Sequence, residues 1–163
     1  MGMVHGFTFT LASALTSADL DAIRVLFRAY AASLPVDLGY QGFEDELAGL
    51  PGAYAPPEGL LLLARAPDGT PLGCGAFRAM KVGEGCEMKR VYIAPEARGL
   101  GLGVAMVEAL MAQARQAGYL TIALDTLPSM SEAHRLYAKL GFTPIAPYYD
   151  TPVDGTVFLG RAL

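Results

Sequence analysis

The sequence has no tryptophan, only two histidines and two cysteines, and few charged residues, at 17%. Cys74 and Cys86 are too few for a disulfide scaffold and lack metal-ligand spacing; both fall in strand-like segments, where a thiol serves as a small apolar side chain. Twelve Lys and Arg against sixteen Asp and Glu leave a formal net charge of −4. With no basic stripe to gather phosphates, no nucleic-acid partner is expected, and the acid excess is compatible with a cationic acceptor such as an amine. Long hydrophobic runs are missing too. The longest aliphatic stretch, Leu60 to Ala64, is far too short to cross a bilayer, so no membrane partner is expected. The opening MGMVHGFTFT lacks the basic segment and apolar core of a secretory leader, and Gly6 stands where N-myristoylation needs Ser or Thr. A cytoplasmic location is the expectation. No repeat, low-complexity tract or charge block marks a linker, so residues 1–163 read as a single domain.

What is present is an apolar chain, 53% hydrophobic, punctuated by nineteen glycines and eleven prolines. Phe7 to Leu11 alternates as a strand does. Thr16-Ser17-Ala18-Asp19 is a capping-box pattern opening a helix with Leu20, Ile23, Phe27, Tyr30 and Leu34 on one stripe, stopped by Pro35. A Gly/Pro-rich stretch from Val36 to Gly59 follows, interrupted by a short helical segment, Phe43 to Leu47. Leu60–Arg65, Leu72–Arg78, Cys86–Ile93 and Thr121–Leu124 read as strands, with weaker ones around Phe142 and Val157 to Leu159. Residues 101–117 form the strongest helix, and Ser129-Met130-Ser131-Glu132 is a second capping box before a helix bearing Ala133, Leu136, Tyr137 and Leu140. This order predicts an α/β fold of the α+β type. Its mixed, mostly antiparallel central sheet should have about six to seven strands, with helices on both faces.

The most informative segment is Arg98-Gly99-Leu100-Gly101-Leu102-Gly103 at a strand-to-helix junction. Alternating glycines let backbone N–H groups converge on an anion, and the helix behind brings its positive end to the same spot, as a pyrophosphate requires. No Lys follows, so it is not a Walker loop; the third glycine of the dinucleotide fingerprint is missing, which weakens a nucleotide-binding oxidoreductase as a rival. The segment resembles the R/Q-x-x-G-x-G/A landmark of the GNAT superfamily of N-acetyltransferases. Val91-Tyr92-Ile93-Ala94-Pro95 matches its lead-in and Leu136 to Phe142 its second landmark. The resemblance implies acetyl-CoA as cosubstrate, with no metal, and transfer of acetyl to a primary amine of a small molecule or peptide by direct attack. A non-catalytic acyl-CoA-binding or sensing module of the same fold is the alternative, and the chain would act as monomer or homodimer.

The same resemblance implies that backbone groups of Val91, Tyr92 and Ile93 hold the pantetheine arm as an added strand would. Amides of Gly99, Leu100, Gly101, Leu102, Gly103 and Val104 would hold the pyrophosphate, beside Arg98. Ser129, Arg135 and Lys139 are placed to reach the 3′-phosphate or adenine. Many relatives carry Asn seven residues before the tyrosine; here Met130 stands there, and Ser129 could replace part of that contact. Glu87 is the candidate base: it lies four residues before Val91, so strand alternation puts both on one face, and some family members carry a catalytic glutamate at this offset. The bland reading pairs it with Lys89 or Arg90. Tyr137 is the candidate acid, by resemblance, although its apolar stripe also suits a core tyrosine. The acceptor side is expected from Val36 to Pro57 and the Tyr148-Tyr149 segment, the loops left to cover the groove; Phe43, Tyr54, Tyr148 and Tyr149 could form an aromatic pocket, with Glu44, Asp45 or Glu46 drawing a cation. His5 and His134 are expected to have no chemical role.

Overall fold

The computed structural model describes residues 2–4 and 6–163; His5 lies outside them. Seven strands form the mixed sheet: β2 (Phe7–Ser13), β3 (Leu60–Arg65), β4 (Pro71–Ala79), β5 (Cys86–Ile93), β6 (Thr121–Thr126), β7 (Thr143–Pro144) and β8 (Val157–Ala162). A short β1 (Gly2–Val4), absent from the sequence reading, extends the edge beside β2, giving the order β1-β2-β3-β4-β5-β6-β8-β7. Every neighbouring pair is antiparallel except β5 and β6.

Helices α1 (Ser17–Ser33) and α2 (Phe43–Ala48) cover one face, and α3 (Leu102–Gln116) and α4 (Ser131–Lys139) the other. Thr16 caps α1 as its pattern predicts: Asp19 N–H donates to Thr16 Oγ1 at 3.1 Å, and Thr16 N–H to Asp19 Oδ2 at 3.3 Å. Ile23 and Phe27 then pack with Leu47, Tyr54, Leu61, Leu63 and Cys74 in one core. Met106, Val107 and Leu110 of α3 pack on Leu60, Leu62, Phe77 and Met88 in the other. Here α3 lies so close to β4 that a Cβ on Gly75 would stand 2.7 Å from Leu110 Cδ1.

The second capping box is not made. Met130 N–H closes a tight turn onto Leu127 O at 3.1 Å, which moves the helix start to Ser131 and leaves Ser129 one residue short of the cap. His134 Nε2 lies 2.9 Å from the same carbonyl, so that histidine has a structural task. The strand expected around Phe142 sits just beyond it, because Phe142 is buried in the core, edge-on to Tyr137 at 5.6 Å.

One irregularity sets the geometry of the site. Cys74 pairs with Tyr92 but Ala76 with Lys89, so two steps along β4 span three along β5, and β5 carries an extra residue. Arg90 takes up this bulge at φ +61, a left-handed conformation that costs an L residue about 1 to 2 kcal/mol. The chain tolerates it because Arg90 is gripped from the α1/α2 side. Its Nε and Nη2 donate to the two Glu46 oxygens at 3.0 and 3.2 Å, Nη1 donates to Gln41 Oε1 at 2.8 Å, and the guanidinium lies 5.2 Å from the centre of the Phe43 ring. Replacing Arg90 with Ala should destabilise the fold by up to about 3 to 5 kcal/mol in urea unfolding, because Glu46 is left with only the longer Arg78 contact at 3.8 Å. Glu46→Gln added to Arg90→Ala should recover part of that loss. A single-variant loss below about 1 kcal/mol, the worth of an exposed pair, would show that the grip does not hold the bulge.

Candidate active site

Strands β5 and β6 pair only at Cys86 with Ile122 and Glu87 with Ala123, then separate. Beyond Glu87 the β6-side edge of β5 has no strand partner, and cavities open on both sides of the gap. On one side lies a cavity of about 580 Å³ lined by Val91, Tyr92, Ile93, Arg98, Gly99, Gly101, Leu102, Gly103, Val104, Ser129 and Tyr137, among others. All the expected cofactor residues are there except Leu100, which is outside the lining, as are Arg135 and Lys139. Met130 lines it instead, its sulfur accepting from Thr126 Oγ1 at 3.7 Å. Gly101 stands at φ +83 at the head of α3, a conformation suited to glycine, and no side chain caps that helix. Arg98 is folded back onto β5, with Nε donating to Ile93 O at 2.9 Å and the guanidinium 5.5 Å from the centre of the Tyr92 ring.

On the other side a cavity of about 360 Å³ is lined by Tyr40, Gln41, Arg78, Met80, Lys81, Val82, Glu87, Lys89, Tyr148 and Tyr149. A constriction of about 30 Å³ lies between the two, sharing Val91, Met130 and Tyr137 with the first and Tyr40, Gln41 and Lys89 with the second. Tyr137 therefore sits at the junction. Burial pushes its pKa well above the ordinary phenol value, so the hydroxyl stays protonated through the neutral range.

The expectation that Glu87 shares a face with Val91 fails, and the bulge is the reason. Val91 packs with Met88 toward the α3 side, whereas the extra residue leaves both Lys89 and Arg90 pointing to the α1/α2 side with Glu87. Glu87 thus opens into the second cavity. Its partner is neither Lys89 nor Arg90 but Arg78 of β4, whose Nε donates to Glu87 Oε1 at 2.7 Å. The aromatic pocket needs the same revision. Tyr148 and Tyr149 line the second cavity, but Phe43 and Tyr54 are core residues, shut away by α1 and α2 packing. The acidic run does not reach it either: Glu46 is held by Arg90, Glu44 pairs with Arg28 on the surface, and exposed Asp45 is not among the lining residues.

Sequence reasoning missed Tyr40, Gln41, Lys89 and Asp125. Lys89 Nζ donates to Asp125 Oδ1 and to Gln41 Oε1, both at 3.3 Å, bridging β5 to β6 where their backbones no longer pair. Tyr149 completes the chain, its hydroxyl donating to Asp125 Oδ2 at 2.5 Å. Burial alone would raise the Asp125 pKa, but the Lys89 ammonium and the Tyr149 hydroxyl outweigh it and hold the carboxyl below its usual range. Burial lowers the Lys89 pKa despite Asp125. Three charged residues in β5, Glu87, Lys89 and Arg90, and one Asp in β6 were the available signal.

Comparison with known proteins places the chain in a class. The profile of the acetyltransferase (GNAT) family matches residues 23–142. An uncharacterized N-acetyltransferase of Schizosaccharomyces pombe is 40% identical over 141 residues, covering 86% of each chain. Among solved structures, a protein of Klebsiella pneumoniae assigned as an acyl-CoA N-acyltransferase is 30% identical with a TM-score of 0.72, covering 96% of this chain and 97% of that one. A Salmonella typhimurium acetyltransferase solved with its cofactor acetyl-CoA is 20% identical at a TM-score of 0.68, with 94% and 93% covered, and shares the fold. The chain belongs to the GNAT family of acetyltransferases.

The buried Lys89–Asp125 pair makes a pH prediction. A carboxyl whose folded pKa lies below its unfolded value of about 3.9 stabilises the fold above that pH and loses the contribution as pH falls through the folded value. Asp125→Asn should cost about 3 to 5 kcal/mol near neutrality, since Lys89 is left without its charge partner, and the gap to the native chain should narrow as pH drops below about 4. Urea unfolding across pH would show this; an equal gap at acid and neutral pH would contradict it.

Proposed function

We propose that this protein is an acetyl-CoA-dependent N-acetyltransferase that moves acetyl directly onto a primary amine. The observation that carries the reading is the gap between β5 and β6, with the glycine turn at one end and the Glu87 cavity at the other. The residues fit such a cosubstrate. The partnerless edge of β5 at Val91–Ile93 offers backbone groups to an extended arm, as an added strand would use them. The amides from Gly99 to Val104, with the uncapped start of α3, form a cradle for a diphosphate, and Arg98 and Ser129 flank it. Leu100 contributes its backbone alone.

Acetyl-CoA supplies an activated acyl carbon and a thiolate leaving group. Glu87 takes a proton from the acceptor ammonium, directly or through water; Arg78 occupies Oε1, and the Tyr148 hydroxyl lies beside the same carboxylate. As the C–N bond forms and the C–S bond breaks, Tyr137 donates its proton toward sulfur. Of the three ammonium protons, one leaves through Glu87 to solvent, one ends on the thiol and one stays on the amide. The cysteines favour direct attack over an acyl-enzyme. Neither lines a cavity of the site, Cys74 donates to Arg90 O at 3.3 Å, and burial raises both thiols, Cys86 to about 12.

The test is amine-dependent release of CoA thiol from acetyl-CoA, followed across pH. Glu87→Gln should lower kcat by about 10²-fold or more, with part of the rate returning at high pH where the acceptor deprotonates unaided. Tyr137→Phe should give a smaller loss with cosubstrate affinity nearly intact, since only a hydroxyl is removed and a thiolate leaves readily. An unchanged kcat/KM for Glu87→Gln from about pH 6 to 9 would remove Glu87 from the mechanism.

A further inference from the structure

We propose that the acceptor is a small amine that also carries a carboxylate, an amino acid or close analogue, rather than a polycationic amine. The proposal rests on the N-acetyltransferase reading of the site and specifies its substrate class.

The charge of the acceptor cavity runs opposite to that of the chain. The protein has a formal net charge of −4, yet the charged residues lining this cavity are Arg78, Lys81 and Lys89 against Glu87 alone. Their engagements differ. Lys89 is held by Asp125, and Arg78 spans Glu87 at 2.7 Å and Glu46 at 3.8 Å. Lys81 sits exposed in the β4–β5 turn and makes no ion pair among the described residues. It is a rim cation without a partner, in the turn that borders the cavity.

A second observation comes from Tyr148, which lines the same cavity. The Tyr148 hydroxyl is buried with no hydrogen-bond partner in the structure. Burial first, then the nearby Asp125 and Glu87 carboxylates, drive its pKa far above that of a free phenol, so it keeps its proton, with the Glu87 carboxylate within reach as an acceptor. A ligand carboxylate in this cavity would compete with Glu87 for that hydroxyl. The residues that would draw a polycation are elsewhere, since Glu44 pairs with Arg28 and Glu46 with Arg90. A cavity of about 360 Å³ with tyrosine walls has room for an amino acid. Within it, Glu87 is the one lining carboxylate able to receive the ammonium, and Lys81 with Tyr148 the groups left for a carboxylate.

Matched acceptor sets test this: for several amino acids, the free acid, its carboxamide and the decarboxylated amine, together with spermidine, assayed by CoA thiol release. The free acids should exceed both neutralised partners in kcat/KM by at least about tenfold, equivalent to about 1.4 kcal/mol. Lys81→Glu, a surface change expected to leave folding intact, should shrink that ratio, and acetyl-CoA affinity measured alongside should stay at the native value. Tyr148→Phe should also reduce it. Equal or better turnover of the carboxamides, the decarboxylated amines or spermidine would overturn the inference while leaving the N-acetyltransferase reading standing, as would a ratio that Lys81→Glu leaves unchanged. Failure of acetyl-CoA to bind at all would instead sink the reading beneath it.

Discussion

Arg90 holds a backbone conformation that its side chain would not choose, and the three residues gripping it repay the strain: Glu46 from α2, Gln41 from the turn before it, and the Phe43 ring. The extra residue this allows in β5 has two effects. It turns Lys89 and Arg90 to the same face, and it returns Val91 to the opposite face, beside the glycine turn. The two sides of the site thus differ in chemistry because one strand breaks its own alternation. Without the bulge, Glu87 and Val91 would share a face and a single groove would have to serve both substrates.

The charges beneath the sheet follow from that arrangement. Glu46, Glu87 and Asp125 are matched by Arg78, Lys89 and Arg90, each carboxylate meeting at least one cation within 4 Å. Buried pairs of this kind gain little net stability over apolar packing, but breaking one is expensive. They do fix position. Lys89 and Asp125 span the gap that backbone hydrogen bonds leave open, and Arg78 orients Glu87 from the neighbouring strand. A wall of the cavity at Glu87 is therefore built from ion pairs rather than from a continuous ladder.

The order of elements and the glycine turn could be read from the residues because both are local. Thr16 and Asp19 announce α1, and Gly99 and Gly101 can take the left-handed backbone that their turn requires. The acceptor side could not, because it depends on register between distant strands. Arg78 stands directly opposite Glu87 across the β4–β5 hairpin, a pairing fixed only once the register is known, and Tyr149 reaches Asp125 from a separate segment. The Ser129 cap failed for a related reason, as a tight turn from Leu127 shifted the helix by one residue. Two adjacent cations, Lys89-Arg90, inside an alternating strand were the one local hint of the bulge.

The central claim is that the gap between β5 and β6 receives the arm of acetyl-CoA along the free edge of β5. Amide hydrogen exchange measured with and without acetyl-CoA tests it most directly. The account predicts slowed exchange at Val91–Ile93 and from Gly99 to Val104, with β2 and β3 unaffected. Binding of acetyl-CoA that leaves both segments exchanging at their free rates would contradict it.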